Sequence, residues 1–83
     1  MYLARVYVTL KSTVNDPVGQ TIRGGLRDLG FVSVERVRSG KYMEVRLDEE
    51  SEEVAGAAVR RMCEQLLANP VIEEYRFELE KAD

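Results

Sequence analysis

The chain has 83 residues, 45% hydrophobic and 33% charged, with a net charge of -3 and no histidine. That length points to one domain, 1–83, burying only about 60–65% of its unfolded surface, so docking to a partner or to a copy is an expected remedy for a small core. The acidic balance disfavours nucleic acid, no apolar run nears the ~20 residues that cross a bilayer, and residues 1–10 lack a signal-peptide core, so a cytoplasmic address is expected.

Taken in chain order, Ala4, Val6, Val8 and Leu10 alternate with Arg5, Tyr7, Thr9 and Lys11, the pattern of a half-buried strand. Asp16-Pro17 then marks a helix start, with Asp16 accepting from free N–H groups and Pro17 at the first helical position. Val18, Ile22, Leu26 and Leu29 repeat at helical spacing, and Gly30 is a left-handed terminator. Gly24 and Gly25 inside this helix cost about 1 kcal/mol each relative to Ala. They mark either drift or a close approach to the sheet.

Residues 31–38 and 41–47 read as two strands joined at Ser39-Gly40. The first changes parity between Val34 and Val37, which suggests a bulge or bend. In the second, Met43, Val45 and Leu47 oppose Tyr42, Glu44 and Arg46. Asp48 or Ser51 caps a second helix whose apolar stripe runs Val54, Ala55, Ala58, Val59, Met62, Leu66, Leu67, and Asn69-Pro70 ends it. Tyr75, Phe77 and Leu79 form a last strand. The expected order is β-α-β-β-α-β: an α+β, ferredoxin-like domain with two helices on one face of an antiparallel sheet.

The chemistry is sparse. Without histidine there is no Ser-His-Asp or Cys-His arrangement. Cys63, the only cysteine, lies beside the second helix's apolar stripe and reads as a small structural thiol. The glycines make no phosphate loop. The acidic run 48–53 lacks calcium-loop spacing and reads as a solvated helix start. Lys11, Arg36, Arg38 and Lys41 gather at loop ends, either as ordinary surface charge or as a docking point for an acidic surface.

Several blocks carry a resemblance: Val8-Thr9-Leu10-Lys11, Asp16-Pro17-Val18-Gly19, Leu29-Gly30-Phe31, Val37-Arg38-Ser39-Gly40-Lys41, and above all Leu66-Leu67-Ala68-Asn69-Pro70-Val71-Ile72-Glu73-Glu74-Tyr75. In order and spacing they resemble the PurS family, the small subunit of phosphoribosylformylglycinamidine synthase. Val18 and Gly24-Gly25 depart from its pattern. The resemblance implies a non-catalytic subunit in de novo purine biosynthesis, with no activity of its own. It implies a glutaminase subunit and a large synthetase subunit as partners, the latter holding ATP and magnesium. The chain would bridge them and assist ammonia transfer for the ATP-dependent conversion of formylglycinamide ribonucleotide. It would carry no cofactor, metal or catalytic residue, and would form a homodimer or dimer of dimers. Lys11, Arg38 and Lys41 are the expected partner contacts, with Ser39-Gly40 as a hairpin tip presenting the last two.

Two other classes stand beside this one. One is a free-standing regulatory domain that binds a small metabolite between paired modules. The other, an RNA-recognition module, needs aromatics on the outer sheet face. That face carries Tyr7 and Tyr42 but also Glu44, Glu74 and Glu78, which ranks it last.

Overall fold

The computed structural model describes residues 1–82. It contains strand β1 (Tyr2–Leu10), helix α1 (Pro17–Asp28), strand β2 (Gly40–Leu47), helix α2 (Glu52–Met62) running into a π-helical turn (Cys63–Leu67), and strand β3 (Glu73–Lys81). The α+β class and the antiparallel sheet are as the alternation predicts. β1 lies in the centre, in the order β2-β1-β3, with Val6 opposite both Met43 and Phe77. This register puts every inward residue of the three strands on one face.

That face holds the core. Ala4, Val6, Val8 and Leu47 meet Ala55, Val59, Cys63 and Ala68, all buried, with Phe77 and Leu79 packed at the margin. Among the described residues, only Val6, Val8, Val59 and Cys63 are sizeable side chains with essentially no exposure. Burial pushes the Cys63 thiol pKa up, which keeps it a protonated, small hydrophobe.

The second predicted strand is not one. Residues 31–38 form a turn and an extended return segment with no strand beside them. Its expected hairpin partner, β2, pairs only with β1, and the return segment runs along α1 instead. Its carbonyls are occupied by arginine side chains: Arg27 Nη1 donates to the carbonyls of Val32 (2.9 Å) and Val34 (3.1 Å), and Arg23 Nε to that of Glu35 (2.8 Å). Ser39-Gly40 is therefore no hairpin tip. Ser39 sits at the root of this helix-and-return arm, and Gly40 opens β2.

The arm also departs from two helices over one sheet face. α2 lies over β1 and β3, whereas α1 makes little contact with the sheet. The described residues span 49 × 28 × 14 Å with a radius of gyration of 16.2 Å, against about 12 Å for a compact chain of this length. Apart from the helix's own backbone, no atom lies within 4 Å of where a Cβ would stand at Gly24 or Gly25, so neither glycine serves a close approach to another part of the chain.

α1 begins and ends as its sequence dictates. Asp16 caps it by accepting from the Gly19 N–H, Pro17 sits in the first turn, and Gly30 takes φ 103° just past the end. For α2, Ser51 rather than Asp48 is the cap, accepting from the Val54 N–H. The π-helical turn is new: Ala68 N–H reaches back five residues to the Cys63 carbonyl at 2.9 Å. This wider turn shifts the phase of the stripe. Cys63 and Ala68 face the core, Leu67 is half-buried, and Leu66, predicted as part of the stripe, is 83% exposed. Asn69-Pro70 ends the helix, Asn69 Oδ1 accepting from the Val71 N–H.

Candidate functional site

Lys11, Arg38 and Lys41 come together at one end of the sheet, where β1 finishes and β2 and β3 begin. The Lys11 N–H donates to the Ile72 carbonyl at 2.8 Å, which fixes the exit of β1 against the entry of β3. Arg38 turns inward along that seam. Its Nη2 pairs with Glu74 Oε1 at 3.0 Å, reaches Thr9 Oγ1 at 3.3 Å, and also donates to the Leu10 carbonyl. Arg36 Nη2 does the same for the Ser12 carbonyl at 2.9 Å. These two guanidiniums tie the returning arm to the segment that leaves for it.

Lys41 is different. Its side chain is 58% exposed and its ammonium lies 3.8 Å from Glu73 Oε2, a loose surface pairing that contributes little. Lys41 presents a cation to solvent, whereas Arg38 spends its donors on the chain itself.

Asp16 organises the root, a role its capping position only half reveals. Oδ1 accepts from the Gly19 N–H at 2.9 Å, while Oδ2 accepts from the Ser39 N–H at 2.9 Å. The Ser39 hydroxyl adds a third bond to Oδ1 at 3.1 Å. The Gly19 and then the Ser39 N–H groups hold the Asp16 carboxyl below its ordinary value of 3.8. A depressed folded pKa stabilises the fold fully above that ordinary value, and the contribution is lost as pH falls through the depressed one. Melting temperatures from about pH 6 to about pH 2.5 should therefore fall more steeply for the wild type than for Asp16→Asn, which has no such proton to take up. Parallel curves would mean that the carboxylate does not hold the root.

On the outer sheet face a groove of about 440 Å³ is lined by Tyr7, Thr9, Arg38, Glu74, Tyr75 and Arg76. Arg76 stacks 3.9 Å over the Tyr7 ring, which in turn lies 5.2 Å from the Tyr42 ring. The Tyr42 hydroxyl donates to Glu44 Oε2 at 2.8 Å, and this bond raises its pKa. Arg5 pairs with Glu80 on the same face. Guanidiniums and carboxylates here neutralise one another while the phenols hydrogen-bond and stack with them, an arrangement suited to protein contact. Among the described residues no three His, Cys, Asp or Glu side chains gather as a metal site, and no helix is long and apolar enough to cross a membrane.

Comparison with known proteins gives this chain a family. The profile of PurS, phosphoribosylformylglycinamidine (FGAM) synthase, matches residues 3–81. The chain belongs to the PurS family. A PurS subunit from Synechocystis is 47% identical over 78 residues, covering 94% of this chain and 78% of that one. The crystal structure of Methanocaldococcus jannaschii PurS, one of the subunits of formylglycinamide ribonucleotide amidotransferase in the purine biosynthetic pathway, superposes with a TM-score of 0.87 at 42% identity, covering 100% of both chains. A chain of the Thermotoga maritima PurLQS structure does so with 0.84 at 34% identity, over 96% of this chain and 99% of that one. As a PurS-family chain, this protein is a subunit of FGAM synthase, a ligase of purine biosynthesis. The strandless segment 31–38 and the long α1 arm occur within a fold that superposes on its relatives along its whole length.

Proposed function

We propose that this chain is the non-catalytic bridge of a cytoplasmic three-polypeptide FGAM synthase. It joins a glutaminase subunit, which releases ammonia from glutamine, to a large synthetase subunit, which holds ATP and magnesium, and it assists the ammonia transfer between them. The observation that carries this reading is the division of labour among its polar groups. Asp16, Arg23, Arg27, Arg36 and Arg38 are engaged with the chain's own backbone. Lys41 and the paired charges of the outer face are what a partner meets. The PurLQS assembly of the Thermotoga relative supports partners of this kind.

Among the proposed contacts, Lys41 and Lys11 meet the large subunit directly, and Arg38 acts by fixing the loop that presents Lys41. The chain also self-associates, since an apolar arm held away from its own sheet asks for a second copy to cover it.

The test is reconstitution. The isolated chain with glutamine, ATP, magnesium and the ribonucleotide should release no glutamate or ADP above background. Added to the glutaminase and synthetase subunits, it should restore glutamine-dependent synthesis, with a smaller effect on ammonia-dependent synthesis. Turnover by the chain alone, or full glutamine-dependent synthesis without it, would defeat the reading.

A further inference from the structure

The strand register lays out the outer sheet face in rows. Tyr42, Tyr7 and Arg76 are cross-strand neighbours on β2, β1 and β3. Arg76 stacks on Tyr7, and Tyr7 lies beside Tyr42, so the three make a continuous π ridge across the sheet. The next row, about 7 Å further along the strands, is Gly40, Thr9 and Glu74. Gly40 has no side chain and has no room for one. A Cβ there would stand 2.2 Å from the Val8 carbonyl oxygen and 2.9 Å from Thr9 Cγ2. This row is therefore low, and the groove of about 440 Å³ is the trench between the ridge and Arg38. Its volume lies in the range of small-molecule sites.

The trench opens at the end of the sheet where β1 finishes. Lys11 follows Thr9 by two residues, Arg36 is bound to the Ser12 carbonyl, and Arg38 lines the trench itself. Against these three cations stand Glu74 and, at the root, Asp16. This end is thus net positive on a chain whose net charge is -3. The hydrogen bonds of Arg38 within the chain use Nη2, which leaves the donors on Nη1 and Nε for a ligand. On the far side of the ridge the next row is Glu44, Arg5 and Glu78, and there the balance is negative.

We propose that this trench binds a nucleoside 5′-monophosphate, its base stacked on the ridge at Arg76 and Tyr7 and its phosphate held by Arg38 and Lys11. Guanidinium planes and aromatic rings both stack bases, and a phosphate draws charge-assisted hydrogen bonds from the two cations. Between them the Thr9 hydroxyl and the Glu74 oxygen that Arg38 does not take suit ribose hydroxyls. An anion without a ring leaves the ridge unused, and a base without phosphate leaves the cations unmatched. A longer nucleic acid would carry its next phosphate towards Glu44 and Glu78, which repel it. The site therefore fits a mononucleotide, and it needs only the folded chain, independently of the bridging role.

Titration of the full chain with adenosine 5′-monophosphate, followed by amide chemical shifts, tests this. The amides of Tyr7, Thr9, Glu74 and Arg76 should move with a Kd of about 0.1–1 mM, while those of Leu3 and Glu80 stay in place. Adenosine and ribose 5-phosphate should each bind at least about fivefold more weakly. Arg76→Ala and Arg38→Ala should each weaken the nucleotide about fivefold. Arg46→Ala removes a cation from the same face about 20 Å away and should bind like the wild type. Because Arg38 also ties down the root, its variant is compared at a temperature where its amide spectrum is that of a folded chain. Arg76, 69% exposed in its side chain, carries no such duty. Absence of shifts at 5 mM nucleotide, or shifts away from the trench, would overturn the proposal. So would equal binding of adenosine or of ribose 5-phosphate, or an Arg46→Ala loss as large as that of Arg38→Ala.

Discussion

Gly19→Val is expected to unseat the arm, at a cost of about 3 kcal/mol. That is a large share of the roughly 4–12 kcal/mol that a chain of this length has in total. A Cβ at position 19 would stand 2.2 Å from the Val37 carbonyl oxygen and 2.8 Å from Asp16 Oδ2. The first is backbone and cannot swing away; the second is the carboxylate that binds Ser39. Relief of either clash opens the root, and with it the contacts of Arg36 and Arg38. A branched side chain adds a few tenths of a kcal/mol of helix propensity cost. Gly24→Ala on the same helix is the control. With nothing beyond the helix's own backbone within 4 Å of a Cβ at position 24, it should stabilise by up to about 1 kcal/mol. Chemical denaturation of the three chains compares them directly. A Gly19→Val chain as stable as the wild type would show that the return segment does not pack where Val37 is placed.

The second large effect separates two residues that share the apolar stripe of the second helix. Val59→Asp should cost about 3–5 kcal/mol, because it puts a carboxylate without a partner among Val6, Val8 and Cys63. That is enough to leave much of the chain unfolded at room temperature. Leu66→Asp should stay within about 0.5 kcal/mol, since the side chain is 83% exposed. If the second helix ran on as a regular α-helix, Leu66 would follow Val59 and Met62 round to the sheet and the two substitutions would hurt alike. Circular dichroism at 25 °C and urea midpoints for the two variants therefore report on the π-helical turn. Equal losses would remove it.

What the sequence makes legible is what neighbours along the chain decide. The parity of β1, β2 and β3 is written in alternation, and the register follows once one face is buried. Asp16-Pro17, Gly30, Ser51 and Asn69-Pro70 act through hydrogen bonds within a few residues, so their reading holds. The segment 31–38 carries β-branched residues and reads as a strand, but a strand exists only beside another. Nothing local says that Arg23 and Arg27 will take its carbonyls first. The phase of the second helix fails for a similar reason: one extra residue in a turn moves Leu66 to solvent without altering its periodicity up to Met62. At the candidate site, Lys11, Arg38 and Lys41 are close in space as their loop-end positions suggest. Their different duties depend on Leu10 and Glu74, which lie 28 and 36 residues from Arg38.

The ends of the described chain meet. The Ala82 N–H donates to the Met1 carbonyl at 2.9 Å, and Tyr2 stands opposite Lys81. The arm leaves from the far end of β1, about 30 Å away at strand rise. Topologically the fold is thus a nearly closed ring with a single long protrusion, and its numbering is only one way of cutting that ring. A short linker between the two ends would close it, and a new opening at Gly30, the solvent-exposed tip of the arm, would make helix α1 one terminus and the return segment the other. In such a permuted chain the two halves of the arm are joined only by Arg23, Arg27 and the root at Asp16. The covalent continuity of the protrusion becomes separable from its side-chain clamps.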